Sequence, residues 1–191
     1  MTKLSHDERT RLHAAVEAAE ARTSARLVVE TVHVSDRYAL FPIVYGAAAG
    51  LSALAVLALF WPALTLHTAT FVVAAVAAGT AFLLDWLPLR LWCVPRHIRH
   101  AHARDMAHRC FAARVLAQTD RKTGILLFVA FGERYVEVVT DRDVDLKVPQ
   151  SVWDAIIAGF TAAARQGGVG GGLLTAVESC TKVLEEHYPA K

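Results

Sequence analysis

The chain has 191 residues, 54% of them hydrophobic, and a formal net charge of +2 at pH 7. So small a charge, without a basic face interleaved with aromatic residues, excludes the usual composition of nucleic-acid binding proteins, and we expect no nucleic-acid partner. The three cysteines are an odd number without paired spacing, which predicts free thiols in a reducing cytoplasm.

The N-terminal segment predicts one helix followed by one strand. The sequence Ser5-His-Asp-Glu8 matches a capping box, which starts a helix. The positions that follow at helical spacing are Leu12, Val16, Ala19 and Thr23. The run 26–33 is rich in β-branched residues and predicts a strand. Because a lone strand leaves its ladder groups unpaired, residues 1–41 are expected to be the first part of a domain that the C-terminal segment completes.

The run from Tyr38 to Leu84 contains no Asp, Glu, Lys or Arg over 47 residues. A membrane-spanning helix needs roughly 20 apolar residues, so this run suits two helices better than one. Pro62 divides it, because proline breaks a helix interior. We predict a transmembrane hairpin at 42–88, with spans at about 43–61 and 68–87. The alternative is a buried helical hairpin in a soluble core, but a chain of this length has too few other residues to cover two fully apolar helices.

Both predicted spans contain small residues at a spacing that lets helices approach closely. Gly46 and Gly50 form a GxxxG pattern in the first span, and Ala75 and Gly79 repeat the small-xxx-small pattern in the second. We expect these faces to pack the two spans against each other. The alternative is a dedicated seam with a second copy of the chain.

Positive side chains flank the outer ends of the predicted hairpin. Those after the second span are Arg90, Arg96, Arg99 and Arg104, and those before the first are Arg22, Arg26 and Arg37. The connecting loop has no charge, so the positive-inside rule places both termini in the cytoplasm, at a bacterial inner membrane. We expect the four arginines after the second span to contact anionic lipid head groups.

The C-terminal segment, 89–191, predicts the second part of the domain. The expected elements are a helix at about 95–118, strands at 124–131 and 135–140, a polar loop at 141–145, a helix starting at Pro149, and a last helix from Leu173 to about His187. The strand at 124–131 is continuously apolar, as in a central strand buried on both faces. The glycine-rich run 167–172 is expected to be a turn. The order predicts an α/β sandwich with a small mixed sheet.

Two groups of side chains are candidate metal ligands. Asp141, Asp143 and Asp145 alternate after a strand, and calcium takes oxygen ligands of this kind. The alternative is a solvated loop paired with itself. Glu30, Glu133 and Glu137 complete such a site only if the fold brings them close. A second group, His97, His100, His102 and His108 with Cys93 and Cys110, is either a zinc or copper site or a basic surface beneath the membrane.

Several segments resemble the TPM domain. The run from Thr123 to Val139 is similar to its core strand pair, 148–157 and 173–184 to its closing helices, and the helix after Ser5 with the strand 26–32 to its start. The resemblance implies a Rossmann-like α/β/α sandwich, here with an inserted two-helix transmembrane hairpin. It also implies three kinds of relative: some bind calcium, some have been called acid phosphatases, and others serve the assembly or repair of membrane complexes.

The function that we expect is that of a membrane-anchored TPM-like accessory protein, which binds, assembles or stabilises a membrane protein complex. Its partners are expected to be the lipid bilayer and an integral membrane complex or a second copy of the chain, as a homo-oligomer. No catalytic residue is assigned and no cofactor is expected, with calcium kept as the alternative. The alternative function is a calcium-dependent phosphatase that acts on phosphomonoesters.

Overall fold

The computed structural model describes residues 5–35, 38, 40–86, 93–117 and 123–190. The chain forms two compact units, one of Met1–Ser35 with His100–Lys191 and one of Asp36–Arg99. In chain order the elements are α1 (His6–Arg22), β1 (Arg26–Val32), α2 (Leu40–Phe60), α3 (Leu66–Leu84), α4 (Arg96–Phe111) extended by a π-helical turn (Ala112–Leu116), β2 (Gly124–Ala130), β3 (Tyr135–Thr140), α5 (Arg142–Lys147), α6 (Gln150–Arg165) and α7 (Val169–His187).

The capping box predicted at the start of α1 is present. The Ser5 hydroxyl accepts a hydrogen bond from the Glu8 amide at 3.2 Å, and the Ser5 amide donates to Glu8 Oε2 at 2.7 Å. Two of the amide groups that a helix start leaves unpaired are therefore satisfied within the first turn. The helix ends at Thr23, whose backbone is extended and whose hydroxyl donates to the Ala25 carbonyl at 2.8 Å.

The three strands form one mixed sheet in the order β1-β2-β3, with β1 parallel and β3 antiparallel to β2. Every residue of β2 is buried, which confirms the prediction of a central strand covered on both faces. The pairing also confirms that the N-terminal strand is completed by strands from the C-terminal segment. The result is a helix-rich mixed α/β fold.

Alternate side chains of β2 enter two different cores, because successive residues of a strand point to opposite faces. Ile125, Leu127 and Val129 belong to the core that contains Trp153 of α6 and residues of α1 and α7. The other face has its own core, made by Leu126, Phe128 and Ala130 with Ala103, Ala107 and Phe111 of α4. The sheet therefore carries helices on both of its faces.

Two segments predicted as irregular are helical. The polar loop at 141–145 is the short helix α5. The last helix begins at Val169, before the predicted Leu173, and takes in part of the glycine-rich run. A side chain at Gly170 would collide with Glu8, and a Cβ at Gly172 would lie 2.8 Å from the Ala163 Cβ. These glycines let α7 approach its neighbours closely, which a turn prediction from composition missed.

The second unit contains the two apolar helices. α2 ends at Phe60, immediately before Trp61-Pro62, so the predicted break at proline is confirmed. Thr65 caps α3 by accepting a hydrogen bond from the Thr68 amide at 3.4 Å. By length and composition both helices are able to cross a membrane.

The α2–α3 contact uses the predicted glycines of α2 but a different face of α3. A Cβ at Gly46 would lie 2.7 Å from the Ala77 carbonyl oxygen, and one at Gly50 would lie 3.1 Å from the Ala77 Cβ. Ala75 and Gly79 are exposed instead, and a Cβ at Gly79 meets no atom within 4 Å. Ala75 lies two residues from Ala77, about 200° around the helix, so the two positions cannot share a face.

Replacing Gly46 by alanine is expected to destabilise the helix pair by about 1–3 kcal/mol, because the added methyl overlaps the backbone of α3. Gly79→Ala makes the same chemical change at an open position and is expected to be neutral or slightly stabilising, since alanine is the better helix former. The measurement is the melting temperature of the full-length protein in a mild detergent. Equal melting temperatures for the two variants would contradict the packing described here.

Candidate functional site

The candidate site lies at the carboxyl edge of the sheet, which we define as residues 33–35 and 131–135. Parallel strands end at the same edge, and open α/β sheets bind ligands outside those carboxyl ends. Pairing continues past the strands, since the Phe131 amide donates to the Val32 carbonyl at 3.1 Å and the Gly132 amide to the His33 carbonyl at 2.7 Å. The segment after β1 therefore lies directly beside the turn between β2 and β3.

Glu133 fastens these two segments together. Its side chain is buried, with 2% of the residue exposed, and Oε1 accepts hydrogen bonds from the Ser35 amide at 2.8 Å and the Ser35 hydroxyl at 2.7 Å. Buried carboxylates need such donors, because an unsatisfied buried acceptor costs about 1–3 kcal/mol. The sequence marked Glu133 only as a possible metal ligand, whereas the structure gives it a partner on another loop.

Arg134, the next residue, has an unusual backbone conformation. Its φ of +52° lies in the left-handed region, and its side chain is exposed. For an L-residue other than glycine this conformation costs about 1–2 kcal/mol. The sequence predicted a tight turn at 132–134, but nothing in it indicated which residue would take the left-handed conformation. Backbone strain of this kind is found most often at functional sites, which makes Arg134 a candidate functional residue.

A polar group beside this edge joins α4 to β3. The Tyr135 hydroxyl donates to Glu137 Oε2 at 2.9 Å, and Arg104 Nε lies 3.6 Å from Glu137 Oε1. The His100 ring stacks at a tilt on Tyr135, with 5.3 Å between centroids. Burial, together with the hydrogen bond to Glu137, raises the pKa of Tyr135. The phenol therefore stays protonated and acts as a donor.

Glu30 and Glu137 occupy one row across the sheet, with Phe128 between them. Two strand spacings separate the backbones of the outer members of such a row by about 10 Å. Each carboxylate is paired with an arginine, Glu30 with Arg114 Nη1 at 2.6 Å and Glu137 with Arg104. Burial and the charge of Glu30 raise the pKa of the nearby Cys110 thiol.

The three aspartates considered for calcium accept hydrogen bonds from other groups of the protein, Asp141 and Asp145 with their side chains and Asp143 with its backbone carbonyl. Asp141 caps α5 and accepts from the Arg142 amide at 2.6 Å, and Asp145 accepts from the Thr140 hydroxyl. The backbone carbonyl of Asp143 accepts from the Tyr188 hydroxyl at 2.8 Å. Within the described parts of the chain, no three side chains of His, Cys, Asp or Glu lie close enough to hold a metal ion. The calcium site stays a prediction without supporting geometry.

The predicted lipid-contacting arginines differ in their surroundings. Arg90 lies outside the described residues, and Arg104 is held by Glu137. Arg96 and Arg99 occupy the first turn of α4, where Arg96 is exposed and Arg99 partly buried. The histidines His97, His102 and His108 are exposed at other positions of the same helix. The sequence left a zinc or copper site open for these histidines, and among the described residues no group of three or more potential metal ligands forms from them.

Comparison with known proteins defines the class of this protein. Residues 89–183 match the family model of the TPM domain. The chain therefore contains a TPM domain, which confirms the resemblance found in its sequence. The NMR structure of the BA42 protein from the psychrophilic bacterium Bizionia argentinensis is similar, with a TM-score of 0.59 and 15% sequence identity over 100% of this chain and 87% of that chain. At this identity the likeness shows the fold alone. Among curated proteins no relative matches the sequence.

Arg134→Gly is expected to raise the free energy of unfolding by about 1 kcal/mol, because glycine adopts a positive φ without strain. Arg134→Ala removes the same side chain but keeps a Cβ, so it serves as the matched control and is expected not to stabilise the protein. Thermal unfolding of the full-length protein in detergent measures both. Equal stability of the two variants would show that the backbone at Arg134 is unstrained.

Asp141→Ala is expected to lower stability by about 1 kcal/mol, the usual effect of losing a helix cap. Asp141→Asn keeps the capping oxygen and is expected to change stability by only a few tenths. Melting temperatures of both variants are measured with and without calcium. If calcium stabilised the wild type but not the asparagine variant, Asp141 would be a metal ligand rather than only a cap.

Proposed function

We propose that this TPM-domain protein is a membrane-anchored accessory protein that binds, assembles or stabilises a complex of membrane proteins. In this proposal α2 and α3 cross a bacterial inner membrane as a hairpin. The hairpin is inserted into a Rossmann-like TPM domain on the cytoplasmic side, with both termini in the cytoplasm. The positively charged residues on both outer flanks of the helix pair support this orientation.

The observation that carries the proposal is the exposed apolar surface of α2 and α3. The most exposed large side chains on this surface, at 75–84% exposure, are Leu40, Leu59, Leu66, Phe71 and Phe82. Soluble proteins rarely expose a continuous apolar surface of this extent, because each Å² left in water forfeits about 25 cal/mol. Hydrocarbon chains or the helices of a partner would remove this surface from water.

The proposal extends beyond simple anchorage because α3 has an unused face of small residues. Ala75 and Gly79 are exposed and take no part in the contact with α2. In membranes such faces let a further helix approach closely, since packing there depends on van der Waals contact. The partner helix would belong to an integral membrane complex or to a second copy of this chain.

The phosphatase alternative receives no comparable support. It would use carboxylates such as Asp141 and Asp143 to hold a cation beside a phosphomonoester. In the described residues Asp141 caps α5, and no group of three potential ligands surrounds it. The accessory function is therefore the one that we propose.

The test is purification of the tagged full-length protein from its native membrane in a mild detergent. We expect an integral membrane complex, or a second copy, to co-purify with it. Leucine at both Ala75 and Gly79 is expected to reduce recovery of the partner severalfold by blocking close approach. The matched control places leucine at Ala74 and Ala78, which are also exposed but lie about 100° away around the helix.

Recovery of only the free monomer from every detergent would count against an accessory function. Orientation is checked in the same cells with reporter fusions. A reporter after Leu64, between α2 and α3, should be active outside the cytoplasm, and one after Lys191 should be active inside. Extraction of the protein from membranes by alkaline carbonate would contradict the membrane anchorage itself.

A further inference from the structure

We propose that Arg96 and Arg99, in the first turn of α4, bind the phosphate of an anionic phospholipid head group. The inference deepens the proposed function and rests on it, since it requires α2 and α3 to cross the membrane. Four observations within the unit Asp36–Arg99 and along α4 support it.

The first observation places the start of α4 beside the start of α2. The Tyr45 hydroxyl, in the second turn of α2, donates a hydrogen bond to the Cys93 carbonyl at 3.2 Å. Val94 is 1% exposed, so the segment that enters α4 is packed rather than projecting into solvent. If α2 crosses a bilayer, its first turns lie at head-group level, where tyrosine is a common anchor. The first turn of α4 then lies at the same level.

The second observation concerns the side of α4 that carries the two arginines. Arg96 and Arg99 are three residues apart and are therefore neighbours on the helix surface. The same stripe continues as Ala103 and Ala107, both completely buried against the sheet. A stripe that is small and apolar over the sheet thus becomes cationic in the first turn. That change indicates a different, anionic partner at this end of the helix.

The third observation is a buried donor. Arg99 Nε is buried and has no hydrogen-bond partner among the described residues. Buried polar groups in folded proteins nearly always have a partner, so an acceptor is expected at this position. A phosphate group suits a guanidinium well, because two of its oxygens accept two parallel N–H bonds.

The fourth observation separates these arginines from the others on α4. Arg104 lies 3.6 Å from the Glu137 carboxylate, which already balances its charge. Arg109 is exposed, but it lies 13 residues beyond Arg96, about 20 Å along the helix. Arg96 and Arg99 are therefore the arginines of α4 nearest along the chain to Cys93, whose carbonyl contacts α2, and anionic lipid is attracted to cations at such a position.

The experiment titrates the purified full-length protein in a mild detergent with short-chain phosphatidylglycerol and, separately, with phosphatidylcholine. Binding is followed by native mass spectrometry and by the rise in melting temperature. We expect the wild type to bind the anionic lipid about 25-fold more tightly, since each arginine contributes about 1 kcal/mol. Each arginine contributes about fivefold, so Arg96→Gln with Arg99→Gln should weaken phosphatidylglycerol binding about 25-fold and leave phosphatidylcholine binding unchanged.

Two matched controls and two further conditions make the test decisive. Arg104→Gln and Arg109→Gln should each leave the affinity for phosphatidylglycerol within about twofold of the wild type. The wild-type preference should fall as sodium chloride is raised, because salt screens the attraction. Inorganic phosphate should bind far more weakly than the lipid. A melting temperature without lipid that matches the wild type shows that the double variant is folded.

The inference is overturned if the double variant keeps the wild-type preference or if Arg109→Gln loses as much affinity as the double variant. It is also overturned if the preference is independent of salt, or if inorganic phosphate binds as tightly as the lipid. These results differ from failure of the proposed function. A protein that carbonate strips from membranes refutes the anchorage, whereas an integral protein without a lipid preference refutes only the head-group site.

Discussion

The parallel pairing of β1 with β2 is the constraint on which the rest of the structure depends. These strands come from opposite sides of the apolar helix pair in the sequence, yet each residue of β1 from Arg26 to Val32 has a partner on β2. A parallel pair cannot be closed by a tight turn, so the chain must leave one end of the sheet and return to the other. The connection contains α2, α3 and α4. The same pairing also aligns the two carboxyl ends where Glu133 joins the Ser35 loop to the β2–β3 turn.

The arginines of α4 and its π-helical turn have different roles at different positions along the helix. Arg104 and Arg114 pair with Glu137 and Glu30, on either side of the central strand. Surface ion pairs of this kind contribute little to stability, and the helix is held over the sheet by the buried side chains of Ala103, Ala107 and Phe111. Among the described residues, no carboxylate pairs with Arg96 or Arg99 in the first turn of α4, which makes that end of the helix available for contacts outside the protein.

Features that depend on adjacent residues were predictable from the sequence, whereas features that depend on contacts with distant parts of the chain were not. The capping box of α1, the break at Pro62 and the buried central strand were all predicted, because each depends on a few adjacent residues. The early start of α7 was missed, because Gly170 is explained by Glu8 of a distant helix and not by its own neighbours. The face of α3 that meets α2 was also missed, since nothing in the sequence distinguishes Ala77, which contacts Gly46 and Gly50, from the small residues Ala75 and Gly79.

The sequence by itself determined that this protein has two long apolar helices, that they interrupt an α/β domain, and that the domain resembles the TPM family. These properties follow from composition, periodicity and chain order, which folding does not alter. The tertiary structure alone decided the roles of the charged side chains. It placed Glu133 in a buried loop contact with Ser35 and Arg104 on the carboxylate of Glu137. The physical reason is that a charged group acts through whatever lies within a few ångströms of it, and those neighbours come from distant parts of the chain.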